Sequence, residues 1–124
     1  MTARLAATIG AVIGALGVVL GAFGAHALRS RLGQHDLEIF ETAVRYQMYH
    51  AFALMAAAWL ISRNQPQAAN AAWAFVIGVA IFSGSLYLMV ATDQRWLGAI
   101  TPIGGVAMIA GWCLLALAAS KLDR

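Results

Sequence analysis

Long uncharged stretches alternate with short polar ones along this chain, and the long stretches predict helices that cross a membrane. Three of them, residues 5–28, 71–92 and 100–120, contain no Asp, Glu, Lys or Arg. A helix needs about 20 residues to cross the roughly 30 Å of hydrocarbon in a bilayer, so each stretch can form one span. A fourth stretch, residues 51–62, is long enough only if residues 46–50 also enter the membrane. The pattern therefore predicts four spans.

The second helix is predicted to begin outside the hydrocarbon. Asp36 is a suitable N-cap, and Glu41 precedes Arg45 by four residues in the better order for an ion pair. Polar and apolar positions of this segment fall on different helical faces. We therefore expect one long helix over about residues 37–62, whose first turns form an amphipathic extension at the membrane interface.

Threonine and proline mark the start of the last helix. Thr101 is the predicted N-cap and Pro102 the first helical residue, where its missing N–H costs no hydrogen bond. The predicted fold class is all-α: an integral membrane four-helix bundle with up-down-up-down topology, in one domain over residues 1–124. The expected helices span about residues 5–28, 37–62, 71–92 and 101–120.

The first helix also has features of a cleavable signal peptide. Arg4 precedes its apolar stretch, and residues 25–27 have the small-x-small pattern of a cleavage site. The apolar core of a signal peptide is only about 7–15 residues long, however, and this stretch is longer. We therefore expect residues 1–27 to be retained as a helix, whereas cleavage would leave three helices.

Composition independently favours a membrane protein. Hydrophobic residues make up 62% of the chain and charged residues 10%, against about 45–50% and about 25% in an ordinary soluble domain. A chain of 124 residues is too short to bury that much apolar surface within itself. The sequence pI is about 9.6, but no basic run is present, so we expect no nucleic-acid partner. Membrane lipids are the expected partners.

Five glycines recur in the first helix at spacings of four, three, four and three residues: Gly10, Gly14, Gly17, Gly21 and Gly24. This alternation keeps all five on one face, where small residues let two helix backbones approach closely. The glycines do not prevent the helix, because in lipid an unpaired backbone group costs several kcal/mol and a spanning segment must therefore be helical. We expect the stripe to pack against a neighbouring helix of the bundle or, alternatively, against a second copy of the chain.

Polar side chains within the predicted spans collect toward the side of the first and third connections. Such side chains usually face a bundle interior or a wet cavity, so we expect a one-sided polar pocket. The alternatives are inter-helix hydrogen bonds, worth about 0.6 kcal/mol each on average, and an aromatic belt for the tyrosines. The candidate binding residues are His26, Tyr46, Gln47, His50, Ser83, Ser85, Tyr87 and Thr101.

No catalytic or metal-binding set accompanies these residues in the sequence. His26 and His50 have no Asp, Glu or Cys at the same depth, and protein metal sites normally need more ligands. The sequence also lacks a phosphate-binding glycine loop, a nucleophile elbow and paired carboxylates. We therefore expect a protein that is not an enzyme, with no catalytic residue, no cofactor and no metal.

Four blocks carry most of the distinctive residues: GAFGAHAL (21–28), FETAVRYQMYHAFAL (40–54), FSGSLYLM (82–89) and LGAITPIGGVAMIAGW (97–112). In this order they resemble the YgdD-like family of small membrane proteins, domain-of-unknown-function family 423. The resemblance implies a four-span protein, of the bacterial inner membrane in most members. It implies no catalytic activity, although every candidate binding residue falls within one of these blocks.

The sequence therefore favours a non-enzymatic membrane protein that binds a lipid, a small molecule or a partner membrane protein through the polar pocket. The alternative is a minimal transporter or channel that works as a homo-oligomer, which would need a polar path through both membrane halves. Lysine and arginine are divided almost equally between the two sides of the predicted bundle. We expect both termini to be cytoplasmic.

Overall fold

The computed structural model describes residues 1–123 and contains four long helices joined by short connections. The elements are α1 (Ala3–Phe23) with a π-helical turn (Gly24–Leu28), α2 (Gln34–Ser62), α3 (Ala68–Thr92), a 3-10 turn (Arg95–Ala99) and α4 (Thr101–Ala119). No strand occurs in the part of the chain that is described. The predicted all-α class with four helices is therefore confirmed.

Each helix packs against its neighbours in sequence, so the chain runs up, down, up and down. α2 and α3 are central, whereas α1 and α4 form the edges and make no contact with each other within residues 1–123. The bundle is therefore open on one side. Three helices, Ala3–Leu28, Ala68–Thr92 and Arg95–Ala119, are long and apolar enough to cross a membrane. α2, with 29 residues, carries its charged residues in its N-terminal half.

The glycine stripe of α1 faces α2 along its whole length. A Cβ at Gly10 would lie 3.1 Å from the Ala51 carbonyl oxygen, and one at Gly24 would collide with the ring of Phe40. At Gly17 a Cβ would collide with the Met48 side chain. Gly14 and Gly21 also face α2 residues. The stripe therefore packs against α2 of the same chain.

A second glycine seam, which the sequence reasoning missed, joins α3 to α4. A Cβ at Gly104 would lie 2.8 Å from the Gly78 carbonyl oxygen and 2.9 Å from Phe82 Cα. A Cβ at Gly111 would lie 2.6 Å from the ring of Phe75. These are backbone and ring contacts that leave no room for a side chain. The close approach of α3 and α4 therefore depends on these glycines.

α2 begins at Gln34, earlier than predicted, and Gly33 is the extended residue before it. Asp36 therefore lies in the first turn and is not the N-cap. Its carboxylate makes a tertiary contact instead: Oδ1 lies 2.9 Å from Nη1 of Arg95, which also binds Asp93. The hydrogen bond from Arg95, together with its charge, lowers the pKa of Asp36 below the ordinary value of 3.8. This ion pair joins the start of α2 to the third connection.

α4 also begins differently from the prediction. Thr101 is its first helical residue, Ile100 precedes the helix, and Pro102 lies in the first turn. The Thr101 hydroxyl is 2.6 Å from Ser85 Oγ on α3 and donates to it, because the Ser85 hydrogen is used by the Phe82 carbonyl oxygen. Thr101 is therefore not the N-cap, and its hydroxyl holds α4 against α3 instead.

Candidate functional site

Gln47 is the polar junction of α1, α2 and α3. The side chain is 5% exposed, and its Nε2 donates to the Ile13 carbonyl oxygen on α1 at 2.9 Å. On the other side, the Tyr87 hydroxyl of α3 donates to Gln47 Oε1 at 2.6 Å. Gly17 packs beside this junction: a Cβ there would be in ordinary contact with Gln47 Nε2, at 3.5 Å, and would collide with the Met48 side chain. One amide thus joins three helices.

The Gln47–Tyr87 pair lies in a groove of about 280 Å³ between α1 and α3, which we call the α1–α3 groove. It exists because α1 and α3 scarcely contact each other and both pack on α2. Gly84 lines this groove, and a Cβ there would meet nothing within 4 Å. The lining residues are Ile13, Gln47, Val76, Val79, Ala80, Ser83, Gly84 and Tyr87.

Ser83 and Ser85 form inter-helix hydrogen bonds, one of the alternatives that the sequence left open. Ser83 Oγ is buried and donates to the Ala43 carbonyl oxygen on α2 at 2.7 Å. Ser85 Oγ lies 2.6 Å from Thr101 Oγ1 and donates to the Phe82 carbonyl oxygen at 2.9 Å. These hydroxyls hold α3 against α2 and α4.

His50 joins α2 to α4. The indole Nε1 of Trp112 donates to His50 Nε2 at 3.1 Å, and His50 Nδ1 lies 2.6 Å from the Tyr46 carbonyl oxygen. An indole N–H is only a donor, so Nε2 must accept and the ring proton must be on Nδ1. His50 is therefore a neutral imidazole with both nitrogens occupied. It has no nitrogen free to act as a base or to bind a metal.

A second groove, of about 340 Å³, opens between α2 and α4 over α3, and we call it the α2–α4 groove. Aromatic rings make up much of its wall: the Tyr46 and Phe82 centroids are 4.7 Å apart, and His50 packs edge-on against Trp112 at 6.0 Å. The lining residues are Tyr46, His50, Phe82, Gly105, Met108, Ile109 and Trp112. None of them lines the α1–α3 groove.

The eight candidate residues do not form one pocket, contrary to the sequence prediction. Gln47, Ser83 and Tyr87 line the α1–α3 groove, whereas Tyr46 and His50 line the α2–α4 groove. Ser85 and Thr101 form a separate pair. His26 is exposed in the π-helical turn at the end of α1 and joins none of these groups. The single pocket is replaced by two grooves because α2 is central and has a neighbour on each side.

The polar residues of α2 also lie near mid-depth and not within one half of the bundle. Gln47 packs beside Gly17, and the Tyr46 ring packs on Phe82. Both Gly17 and Phe82 are close to the midpoints of the uncharged stretches 5–28 and 71–92. The sequence placed Tyr46 and Gln47 at the start of the membrane portion of α2, whereas their contacts with Phe82 and Gly17 place them opposite the middle of the neighbouring helices.

Trp112 and Gly84 are site residues that the sequence reasoning missed. Tryptophan normally lies at the two membrane interfaces, whereas Trp112 is close to the middle of the stretch 100–120. That unusual depth was a signal that its N–H has a partner inside the bundle. Gly84 had no comparable signal, because it stands outside any repeated glycine spacing. Within residues 1–123, no group of three or more His, Cys, Asp or Glu is placed to hold a metal.

Comparisons with known proteins agree with this architecture. A family model described as "Protein of unknown function (DUF423)" matches residues 20–105. The UPF0382 membrane protein YwdK of Bacillus subtilis is 42% identical over 115 residues, covering 91% of this chain and 94% of YwdK. A UPF0382 membrane protein of Staphylococcus aureus is 41% identical, covering 95% of this chain and 97% of its own length.

A more distant relative matches over the whole chain. The UPF0382 inner membrane protein YgdD of Escherichia coli K12 is 34% identical over 130 residues, covering 100% of this chain and 95% of YgdD. No solved structure matches the chain significantly. The relatives extend the similarity over all four helices, but their names state no activity.

Proposed function

We propose, from the premise that this chain belongs to the DUF423 family of membrane proteins, that it is a non-enzymatic protein that binds a membrane lipid in the α1–α3 groove. One observation carries this proposal: the Gln47–Tyr87 pair, of which Gln47 is buried and Tyr87 half-buried, lies in a groove whose other lining residues are almost all apolar. A polar pair at membrane depth is a default candidate for a functional site.

The chemistry of the groove favours a lipid with an apolar chain and one polar group. Gln47 Nε2 carries two hydrogens, of which Ile13 accepts one, and the Tyr87 oxygen can still accept a hydrogen bond. An ester carbonyl or a hydroxyl of the lipid would use this remaining capacity. Its chain would lie against Val76, Val79 and the other apolar lining residues.

The same residues argue against an enzyme. The hydroxyl of Ser83 is bound to a backbone carbonyl, and His50 has both ring nitrogens occupied. No described nucleophile lies beside a base in either groove. A transporter or channel, the other alternative, would need a continuous polar path, whereas the grooves are lined mainly by apolar side chains. Binding therefore fits the lining better than transport does.

The proposed location is the bacterial inner membrane, with four spans and both termini in the cytoplasm. The name of YgdD, an inner membrane protein, supports the membrane. Beyond lipid, the proposed partners are another membrane protein or a second copy of the chain, which the exposed outer faces of α1 and α4 would accommodate. A reporter fused to the C-terminus tests the orientation, because an external signal would overturn it.

Lipids that remain bound to the purified protein test the proposed function. Gly84→Leu should fill the α1–α3 groove without disturbing the helices, because a Cβ there meets nothing. Gly105→Leu introduces the same side chain into the α2–α4 groove and is the matched control. We expect native mass spectrometry in mild detergent to detect bound lipid in the original protein and in Gly105→Leu. The signal should disappear in Gly84→Leu.

Two results would overturn the proposal. An original protein that never retains lipid would contradict lipid binding itself, and lipid retained equally by Gly84→Leu would contradict the groove. Thermal unfolding of each variant checks that the helices remain packed. If Gly84→Leu does not fold, Tyr87→Phe, which removes only a hydroxyl, decides whether the polar pair contributes to binding.

A further inference from the structure

We infer that the α2–α4 groove is a second binding site, for a planar conjugated ring that carries a carbonyl group, the chemistry of an isoprenoid quinone headgroup. The site shares no lining residue with the α1–α3 groove and does not depend on the function proposed for it. Three features carry the inference: the aromatic wall, an unpaired phenol hydroxyl and the depth of the groove.

The aromatic wall fits a flat ring. Tyr46 and His50 are nearly parallel, at 16°, with centroids 6.4 Å apart, and Tyr46 packs on Phe82 at 4.7 Å. Trp112 is fixed edge-on to His50 because its N–H is bonded there. Aromatic rings favour offset-stacked and edge-to-face contacts with a further ring. A saturated acyl chain would pack against these rings but could form none of the ring–ring contacts.

The wall also offers one hydrogen-bond donor. The Tyr46 hydroxyl forms no hydrogen bond within residues 1–123, and the residue is 37% exposed at the groove. The other polar groups of the groove, on His50 and Trp112, are bonded to each other. An unpaired donor at membrane depth is costly. A ring carbonyl in the groove would accept this hydrogen bond.

Access from lipid completes the argument. Tyr46 packs on Phe82, which lies near the middle of the stretch 71–92, so the groove is at hydrocarbon depth. Gly105 lines the groove, and a Cβ there would meet only the Phe82 ring, at 3.9 Å. Trp112 is 46% exposed, so the groove opens sideways. A ligand dissolved in the membrane, with an apolar tail outside the groove, can enter without crossing water.

Fluorescence of Trp112 tests the site, because quinones quench indole emission on contact. The variant Trp59→Phe, Trp73→Phe, Trp96→Phe leaves Trp112 as the one tryptophan. In nanodiscs of saturated phospholipid, titration with decylubiquinone should give saturable quenching. Decanol, which lacks the ring, should give none. In this background Tyr46→Phe should weaken the apparent affinity about 5–10-fold, as expected for one hydrogen bond.

Filling the groove provides the second arm of the test. Gly105→Leu should weaken quinone binding more than 10-fold, whereas Gly84→Leu, in the other groove, should leave it unchanged. Quenching that rises linearly and equally in all variants would reflect free diffusion in the bilayer and would overturn the inference. Bound phospholipid that is lost from Gly105→Leu, without saturable quinone binding, would overturn the ring assignment. Should Gly105→Leu fail to fold, Tyr46→Phe decides the outcome.

Discussion

Trp112 on α4 donates its indole N–H to Nε2 of His50 on α2, over 3.1 Å and past the ring of Phe75 on α3. This bond fixes the tautomer of His50 and couples two helices that scarcely contact each other. His50, which the sequence made a candidate binding residue, therefore holds α2 against α4.

Replacing Trp112 by phenylalanine should destabilise the protein modestly. The ring remains, but His50 Nε2 loses its donor, and an inter-helix hydrogen bond in lipid is worth about 0.6 kcal/mol on average and about 1.7 at most. Reversible unfolding in mixed micelles, followed by circular dichroism, measures the change. Trp59→Phe is the control, because Trp59 is exposed to lipid. Equal losses in both variants would contradict the His50–Trp112 bond.

Substitution of Gln47 should lower the free energy of unfolding more than substitution of its partner Tyr87. Gln47→Leu leaves the Tyr87 hydroxyl without its acceptor, and an unpaired buried polar group costs about 1–3 kcal/mol. Tyr87→Phe leaves Gln47 Oε1 without its donor but keeps the bond from Gln47 to Ile13, which Gln47→Leu also loses, so it should cost less, about 1 kcal/mol. A double-mutant cycle of unfolding free energies should show that the combined variant loses less than the sum. Strict additivity would argue against the bond, and Tyr49→Phe is the exposed control.

Two adjacent glycines of α4 should differ in how well they tolerate replacement by alanine. A Cβ at Gly104 meets backbone atoms of Gly78 and Phe82, whereas one at Gly105 meets only a ring atom at 3.9 Å. Overpacking typically costs about 1–3 kcal/mol, so Gly104→Ala should lower the free energy of unfolding by about that amount. Gly105→Ala should leave it nearly unchanged. Similar stability of the two variants would contradict the close approach of α3 and α4.

The helices and the α1 seam follow from the sequence for a simple reason. Lipid forces helical structure on long apolar stretches, and the spacing from Gly10 to Gly24 alone places five glycines on one face. Both features are local, so no knowledge of the partner helix is required. The α3–α4 seam was not predicted because Gly78 and Gly104 belong to different helices, and neither helix carries a repeating stripe of glycines.

The polar site was harder to predict because its bonds join helices. Gln47 and His50 are three residues apart and both buried, which the helical spacing indicates. Which helix each one contacts depends on the register of α1 and α4, and no residue spacing encodes that register. Gln47 binds the carbonyl of Ile13, an apolar residue, so the partner atom has no sequence signal at all.

The last prediction concerns acid stability and depends on Asp36. The hydrogen bond and charge of Arg95 lower the pKa of Asp36 in the folded protein below its ordinary value of 3.8. The folded state therefore binds this proton less readily than the unfolded state does. The stabilisation by this ion pair is complete above the ordinary value, and it is lost as pH falls through the lowered pKa.

Asp36→Asn should remove this part of the pH dependence. The difference in unfolding temperature between the original protein and Asp36→Asn should be small, since the pair is partly exposed, and largest above pH 4. It should shrink as the pH is lowered, and high salt should reduce it. Glu41→Gln removes an exposed carboxylate that forms no ion pair within residues 1–123 and is the control. A difference that grows on acidification would mean that the Asp36–Arg95 pair does not form.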